Sequence, residues 1–242
     1  MKVNRTRPKK LDIAGSFDKD PEYETGGIVP VDDSELTDEQ FFKKYMRGLF
    51  PDKIGKELIA LYPDFKCDKH KRIHKLAKER NHFFFYGEPG TGKTYVACLI
   101  ALLKARHPEG WWNLRSQVRI ISSSVFLSDL RSLIASKEID AENGMRAYDS
   151  LIHKTRRAKF LIVDDIGVEK ATDFANEVLT QIFDYRYNNN KSTIVTSNLT
   201  VEELSNMKGY GRIMSRVIDM VDGIVNYFPK QYRKIEITPE EI

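Results

Sequence analysis

The segment Gly87–Thr94, with the sequence GEPGTGKT, constrains the fold of this chain more than any other feature. It matches the pattern G-x-x-x-x-G-K-[ST] and stands between a strand predicted over His82–Tyr86 and a helix predicted over Thr94–Arg106. Glycines let the backbone curl so that its N–H groups point at phosphate oxygens, and the amino end of the helix adds a favourable dipole. The pattern predicts a phosphate-binding loop formed by Gly87, Glu88, Pro89, Gly90, Thr91, Gly92, Lys93, Thr94 and Tyr95.

Two neighbouring acids form the second part of the predicted site. A buried strand is predicted over Phe160–Asp164, where an apolar run ends in Asp164 and Asp165 at its carboxyl end. We expect Lys93 to reach the β and γ phosphates of ATP, and the Thr94 hydroxyl and Asp164 to hold Mg²⁺. Asp165 stands where a general base orients an attacking water. The predicted cofactors are therefore ATP and Mg²⁺.

A third polar position follows another predicted strand, Ser192–Ser197. Asn198 ends this β-branched run about 30 residues beyond the acids. From a neighbouring strand its amide is expected to hydrogen-bond the γ-phosphate or the attacking water. A Ser-Asn pair also begins many turns, so the position gains meaning only beside the acids and the loop.

Short apolar runs alternate with helical stretches from residue 82 onward. Further strands are predicted over Val118–Ser122 and Ile224–Phe228. Helices are predicted near 124–136, 176–187, 201–207 and 213–220. This alternation predicts a three-layer α/β domain with a parallel five-stranded sheet between helices.

Composition argues against a membrane-spanning or disulfide-rich protein. No apolar run approaches the roughly 20 residues that cross a bilayer, and the basic start MKVNRTRPKK lacks the apolar segment of a secretory signal. Cys67 and Cys98 are far apart in sequence, so a reducing cytoplasm is expected. The net charge of +4 permits a nucleic-acid partner without requiring one.

The first third of the chain has a different character. Apolar residues from Phe41 to Leu61 have helical spacing that Pro51 interrupts, and a basic helix is predicted over 69–80. We divide the chain into a flexible basic and polar arm over 1–35, a small, mostly helical partner-binding extension over 36–75, and an ATPase domain over 76–242.

Four segments together resemble a known family. GEPGTGKT, FLIVDDIGVE, STIVTSNLT and GRIMSRVID are similar to the AAA+ ATPases of the DnaC/IstB-like group, which includes replicative-helicase loaders and transposase helpers. The resemblance covers roughly residues 76–232. It implies that Lys93 and Thr94 belong to Walker A and Asp164 to Walker B. Asp165 takes the catalytic position, where many AAA+ proteins carry Glu, and Asn198 takes that of sensor 1.

The resemblance also implies an arginine finger, a guanidinium that completes the ATP site of a neighbouring subunit. Arg216 matches it, and Arg212 is the second candidate. Only a strand and a polar tail are predicted after Arg216, so no C-terminal helical lid is expected. In the family this side of the sheet faces single-stranded DNA, which makes Phe126, Arg131 and Lys137 candidate contacts through stacking and phosphate pairing. The alternative is a core position for Phe126 and an ordinary solvated helix face for the two cations.

One further pattern leaves zinc binding open without favouring it. Cys67, His70 and His74 form a C-x2-H-x3-H string, but a structural zinc site normally takes four ligands and no second cysteine lies nearby.

Three functions remain open from the sequence. The first is an ATP-dependent loader that binds single-stranded DNA, self-associates through its ATP sites and delivers a hexameric replicative helicase gripped by the N-terminal segment. The second is a transposition helper acting on duplex DNA with a transposase. The third is a nucleotide-dependent adaptor with negligible hydrolysis, because Asp165 reaches less far than Glu; slow, partner-stimulated hydrolysis is expected otherwise. A bacterial cytoplasm is expected, with a chromosomal, phage or mobile-element origin left open.

Overall fold

The computed structural model describes residues 50–60, 71–105, 118–135, 141–169, 171–222 and 226–228. Within these residues five strands form one sheet: β1 (His82–Gly87), β2 (Val118–Ser122), β3 (Phe160–Asp164), β4 (Ser192–Ser197) and β5 (Asn226–Phe228). The helices are α1 (Asp52–Ala60), α2 (Lys71–Glu79), α3 (Lys93–Ala105), α4 (Ser123–Ala135), α5 (Ala141–Arg157), α6 (Asp173–Asn188), α7 (Val201–Asn206) and α8 (Tyr210–Met220).

All the strand pairings are parallel, and the strand order is β2-β3-β4-β1-β5. In this register Phe84 of β1 pairs with Val195 of β4, and Val163 of β3 pairs with the same residue from the other side. Parallel neighbours end at the same edge of a sheet, which is where ligands bind in open α/β folds. The end of β4 therefore lies between the loop that follows β1 and the acids that follow β3.

Successive residues of β1 face two separate hydrophobic cores. Phe83 and Phe85 pack in a first core with α1, α2 and α3. Phe84 packs in a second core with α4, α5, α6, α7 and α8. A strand buried on both faces needs apolar side chains at consecutive positions, which explains the uninterrupted apolar runs of β1 and β3.

The structure confirms a parallel sheet with helices on both faces. The strands predicted over Val118–Ser122, Phe160–Asp164 and Ser192–Ser197 have those bounds. Helix α5 has no counterpart in the sequence-based prediction. Ile152 and Thr155 are buried on this helix, but most of its residues are polar or charged, so the segment lacks the apolar content from which the other elements were predicted.

The domain boundary predicted at residue 76 does not separate two packing units. Ile54 and Leu58 of α1 and Ile73 of α2 are at most 5% exposed and pack in the first core beside α3. All the described residues belong to one compact unit, Leu36–Ile242. The described part of the predicted extension therefore enlarges the hydrophobic core of the sheet domain.

Other predictions fall outside the described residues. These are the arm over 1–35, the apolar spacing before Pro51, the absence of a lid after β5, and Cys67 and His70 of the C-x2-H-x3-H string. Across the part of the chain that is described, each helix is too short or too polar to cross a lipid bilayer.

Candidate nucleotide site

The loop between β1 and α3 curls as its glycine spacing predicts. Gly90 and Gly92 have φ values of 79° and 99°, which favour glycine because a Cβ is disfavoured there. Gly87 ends β1 against its neighbour, since a Cβ on it would stand 2.5 Å from the carbonyl oxygen of Phe228 on β5. Both requirements fix the path of the backbone that leads into α3.

The remaining loop residues differ in exposure. Glu88 and Pro89 are exposed, whereas Thr91 is buried and its hydroxyl donates to the carbonyl oxygen of Glu88 at 2.9 Å. Tyr95, in the first turn of α3, is half-buried against the first core. The exposed residues thus form the outer side of the loop, and the hydrogen bond from Thr91 to Glu88 stabilises the loop on its buried side.

Lys93 places a buried ammonium group at the centre of the loop. Its side chain is 4% exposed, and Nζ donates to the carbonyl oxygens of Gly87 at 2.8 Å and Glu88 at 2.9 Å and to Oδ1 of Asn198 at 2.9 Å. Burial lowers the pKa of Lys93, and the carboxylates of Asp165 and Asp164 oppose that shift. The positive charge is therefore held by neutral oxygens that phosphate oxygens can replace.

Three side chains from three elements meet at the end of β3. The hydroxyl of Thr94 donates to Oδ1 of Asp164 at 2.8 Å, and the hydroxyl of Thr196 on β4 donates to the same oxygen at 2.7 Å. Burial raises the pKa of Asp164, while the two hydroxyl donors act in the opposite direction. Because burial disfavours the charged form of this carboxylate, a cation bound beside it would stabilise the charge.

Asp165 has an unusual backbone conformation. Its φ is 54°, in the left-handed region, which costs a residue with a Cβ roughly 1 kcal/mol or more. Its N–H donates to the Thr196 hydroxyl at 2.9 Å, and its carbonyl accepts from the Ser123 hydroxyl at 2.9 Å. These contacts hold the strained residue at the carboxyl edge of the sheet, beside Asp164.

Thr196 is a site residue that sequence reasoning missed. It contacts Asp164 through its hydroxyl, and its carbonyl accepts the N–H of Ile166 at 2.9 Å. The signal in the sequence was its place two residues before Asn198, since alternate residues of a strand point to the same side.

A second group that was missed surrounds a buried carboxylate. Glu169 is 8% exposed, and it accepts hydrogen bonds from the hydroxyl of Ser123 at 2.5 Å and from the hydroxyl of Tyr210, the first residue of α8. Ser123 and Tyr210 are fully buried. Because Ser123 also contacts Asp165, the group joins the end of β3 to α8.

The candidate arginine fingers lie apart from this cluster. Arg212 and Arg216 project from α8, and both contact the carboxylate of Asp184 on α6: Arg212 Nη2 at 2.5 Å and Arg216 Nε at 3.0 Å. The guanidinium of Arg216 also lies 4.8 Å from the ring centre of Tyr187. The structure thus brings Lys93, Thr94, Asp164, Asp165 and Asn198 together and puts both arginines elsewhere.

The candidate DNA contacts lie on or after α4. Phe126 is 4% exposed and packs in the second core, so its ring cannot stack on a base and this part of the prediction is corrected. Arg131 is exposed, donates to the Thr172 hydroxyl at 3.1 Å and lies 5.2 Å from the ring centre of Phe174. Lys137 falls outside the described residues.

The donor set suits a magnesium–nucleotide complex. A hydroxyl and carboxylate oxygens are the hard ligands that Mg²⁺ prefers, and Lys93 at the amino end of α3 suits phosphates. In the described ranges no three His, Cys, Asp or Glu side chains cluster as metal ligands. A magnesium ion held by Thr94 and Asp164 would then take its other ligands from phosphates and water, as Mg²⁺ usually does.

Known proteins resemble this chain in sequence and in fold. The family model for IstB-like ATP-binding proteins matches residues 69–223. The replicative helicase loader DnaC of Buchnera aphidicola subsp. Acyrthosiphon pisum is 25% identical over 235 residues, which are 90% of this chain and 86% of that protein. DnaC of Escherichia coli K12 is 20% identical over 166 residues, and that alignment spans 64% of this chain but only 62% of that protein.

A solved structure supports the assignment of the fold. The chain is similar to domain III of the Thermotoga maritima replication initiation protein DnaA, with a TM-score of 0.50 and 21% identity over 69% of this chain and 64% of that one. The likeness is one of fold alone.

Proposed function

This chain belongs to the family of IstB-like ATP-binding proteins, and from that premise we propose that it is a Mg-ATP-dependent loader of a replicative DNA helicase. The observation that carries the proposal is the meeting of Lys93, Thr94 and Asp164 at one edge of the sheet, with Asn198 in contact with the lysine. The similarity to proteins named replicative helicase loader favours this function over others open to the same fold.

In this proposal the loop over 87–95 holds the phosphates of ATP. Its backbone N–H groups and the Lys93 ammonium group bind the β and γ phosphates. The Thr94 hydroxyl and the Asp164 carboxylate hold Mg²⁺. When bound, the ion neutralises charge that develops on the phosphate oxygens. Lys93 exchanges its contacts with the loop carbonyls and Asn198 for contacts with phosphate.

Asp165 and Asn198 act on the water that attacks the γ-phosphorus. Asp165 accepts a hydrogen bond from this water, whose oxygen forms the new bond as the bond to the β–γ bridging oxygen breaks, giving ADP and phosphate. Asn198, released by Lys93, orients the water or the γ-phosphate. The side chain of Asp is one methylene shorter than that of Glu, so we expect slow hydrolysis that assembly with partners accelerates.

The position of the arginines supports self-association. Arg212 and Arg216 contact Asp184 and not the residues of their own loop. We propose that Arg216, with Arg212 as the second candidate, completes the ATP site of a neighbouring copy and so makes hydrolysis depend on assembly.

The partners in this proposal are a hexameric replicative helicase and single-stranded DNA. The segment over 36–75 contacts the helicase, partly through the exposed side of α1. Arg131, exposed on α4, and Lys137 pair with phosphates of the single strand. The setting is the cytoplasm of a bacterial cell.

A loading assay tests the proposal. The full chain, the replicative helicase of its own host and circular single-stranded DNA, which offers the helicase ring no free end, are incubated with ATP. Helicase retained on the circle with the wild-type chain, but not with Lys93→Ala, is the expected result. Failure of the chain to bind the helicase, or equal loading without ATP, would contradict it.

The match to the IstB-like family supports a second candidate, a helper that assembles on duplex DNA and recruits a transposase. ATP-dependent filaments on duplex DNA, without helicase binding, would favour it. Tight binding of Mg-ATP without turnover in the presence of helicase and DNA would instead favour an adaptor with negligible hydrolysis.

A further inference from the structure

The carboxylate of Asp184 lies between two guanidinium groups one helical turn apart on α8. Oδ1 accepts from Nε of Arg216 at 3.0 Å, and Oδ2 accepts from Nη2 of Arg212 at 2.5 Å. The side chain of Asp184 is 22% exposed, which makes it the least exposed of the three. One carboxylate on α6 therefore holds both guanidinium groups of α8, and Asp219 on α8 adds a second negative charge near Arg216.

The two arginines use different atoms in these contacts. Arg216 is bound through Nε, and its guanidinium also lies over the ring of Tyr187 at 4.8 Å. Its hydrogen bond to Asp184 therefore leaves the pair of terminal nitrogens to face a ligand, and two such nitrogens match a phosphate well. Arg212 donates to Asp184 through a terminal nitrogen, Nη2, and its side chain is 64% exposed, against 33% for Arg216. Arg216 is thus the better fixed of the two.

The position of Asp184 on α6 prevents these arginines from serving their own loop. Helix α6 runs back from the end of β3 to the start of β4, and Asp184 lies in its final third, near the amino edge of the sheet. Along α8, Arg216 lies roughly 9 Å beyond Tyr210, which contacts Glu169 at the carboxyl edge. We therefore infer that a phosphate bound by Arg216 belongs to another molecule.

We propose that Asp184 is the positioning residue of the arginine finger and that Arg216, rather than Arg212, is the finger. Asp184 holds the Arg216 side chain in one conformation before a second copy docks, so assembly does not have to order a flexible side chain. This inference rests on the proposed function, because it requires that copies of the chain share ATP sites.

A simpler reading is that Asp184 only fastens α8 to α6. The two readings differ in where a substitution acts. A fastening role should lower the melting temperature of the substituted subunit and slow hydrolysis whichever subunit carries the substitution, because Arg212 still contacts Asp184 in a subunit that lacks the finger. A positioning role should slow hydrolysis only when the subunit that supplies the finger carries the substitution.

A mixed-subunit experiment separates them. The site provider carries Arg216→Ala, so its ATP site is intact and its finger is missing. The finger donor carries Asp165→Asn, so its finger is intact and its own hydrolysis is impaired. Phosphate release is measured for each alone and for the mixture, with helicase and single-stranded DNA present. Asp184→Ala is then added either to the donor or to the provider.

We expect the mixture to exceed its components, and Asp184→Ala in the donor to lower its rate about tenfold, the effect of having to order one long side chain during assembly. The same substitution in the provider should leave the rate unchanged, because that subunit has no finger to position. Asp173→Ala, an exposed position on the same helix, is the matched control in the donor. Asp184→Asn, which preserves volume, replaces Asp184→Ala if circular dichroism shows that the alanine variant is unfolded.

The remaining outcomes each decide a different point. An equal loss in donor and provider, or no loss in the donor, would overturn the positioning role. A mixture with Arg212→Ala in the donor should retain most of its activity, and loss of activity there would overturn the assignment of Arg216. A mixture no faster than its components would refute shared ATP sites, and with them the proposed self-association and the role of Asp184.

Discussion

Thr94 and Asp164 are 70 residues apart in the sequence, yet the Thr94 hydroxyl donates a 2.8 Å hydrogen bond to Oδ1 of Asp164. The contact joins the first turn of α3 to the end of β3, on either side of β4. Strand order explains why β4 supplies the residues between them: Thr196 contacts the acid, and Asn198, just beyond the strand, contacts Lys93.

Thr196→Val tests whether this strand supports both acids. The substitution removes the donor to Asp164 and leaves the Asp165 N–H without its acceptor, so we expect a loss of about 1–3 kcal/mol in the free energy of unfolding. Hydrolysis should also slow at saturating ATP. Urea unfolding and phosphate release measure the two effects. Thr180→Val, at a half-buried position on α6, should leave both near wild type, and a normal hydrolysis rate for Thr196→Val would argue against the support of Asp165.

Asp164→Asn should stabilise the nucleotide-free protein at neutral pH. Burial raises the pKa of Asp164 in the folded state, so the folded protein holds this proton more tightly than the unfolded chain. The associated contribution to stability is present below the ordinary carboxyl pKa and is lost as pH rises through the raised one. The Asn side chain never ionises, so the variant should lack this fall. Thermal melting from pH 3 to pH 8 checks the sign, and a variant less stable than wild type at pH 7 would contradict it.

Tyr210→Phe tests the buried group around Glu169. Burial raises the pKa of Tyr210, so its hydroxyl stays protonated and remains a donor. Removing the hydroxyl leaves one oxygen of a buried carboxylate without this partner, at a cost of about 1–3 kcal/mol. Tyr148→Phe, which removes a hydroxyl at a half-buried position on α5, is the control and should change stability little. In a double-mutant cycle with Ser123→Ala we expect non-additive effects, since both hydroxyls bind Glu169; strict additivity would show that the contacts are independent.

Arg186→Met tests a structural cation. Arg186 is fully buried and donates to the carbonyl oxygens of Arg156, Ala158 and Ser192, which joins the end of α5 to the start of β4. Burial lowers its pKa to about 9, so it remains charged at pH 7. Loss of the donor leaves these buried carbonyl oxygens without a partner and should destabilise the protein by about 1–3 kcal/mol or more. Arg157→Met, at an exposed neighbouring position, should change stability little, and a similar melting temperature for both variants would refute the role.

Local sequence patterns predicted much of the candidate site. The loop over 87–94 can be identified because its glycines and lysine are contiguous, and Asp164 and Asp165 because an apolar run leads directly to them. The same patterns predicted the strands of the sheet, whose two buried faces require unbroken apolar runs.

The remaining residues depend on contacts between distant parts of the chain. Glu169 and Tyr210 are 41 residues apart, and Arg186 and Thr155 are 31 apart. A glutamate or an arginine is usually exposed and a tyrosine is intermediate, so sequence alone gives no reason to expect their full burial. The role of Asp184 could not be predicted from the sequence either, because its partners belong to a later helix. Phe126 shows the same limit, because an aromatic residue on a helix has the same sequence pattern whether it faces the core or DNA, and the structure places it in the core.

The central claim is that the loop over 87–94 and Asp164 form one site for Mg-ATP. Calorimetric titration of the wild-type chain and of Lys93→Ala with ATP, each with and without Mg²⁺, tests it most directly. We expect saturable heat for the wild type, stronger with Mg²⁺, and binding at least tenfold weaker for Lys93→Ala, since the buried ammonium contributes about 1.5–3 kcal/mol through charged hydrogen bonds. Equal binding by both proteins, or no heat from the wild type, would contradict the account.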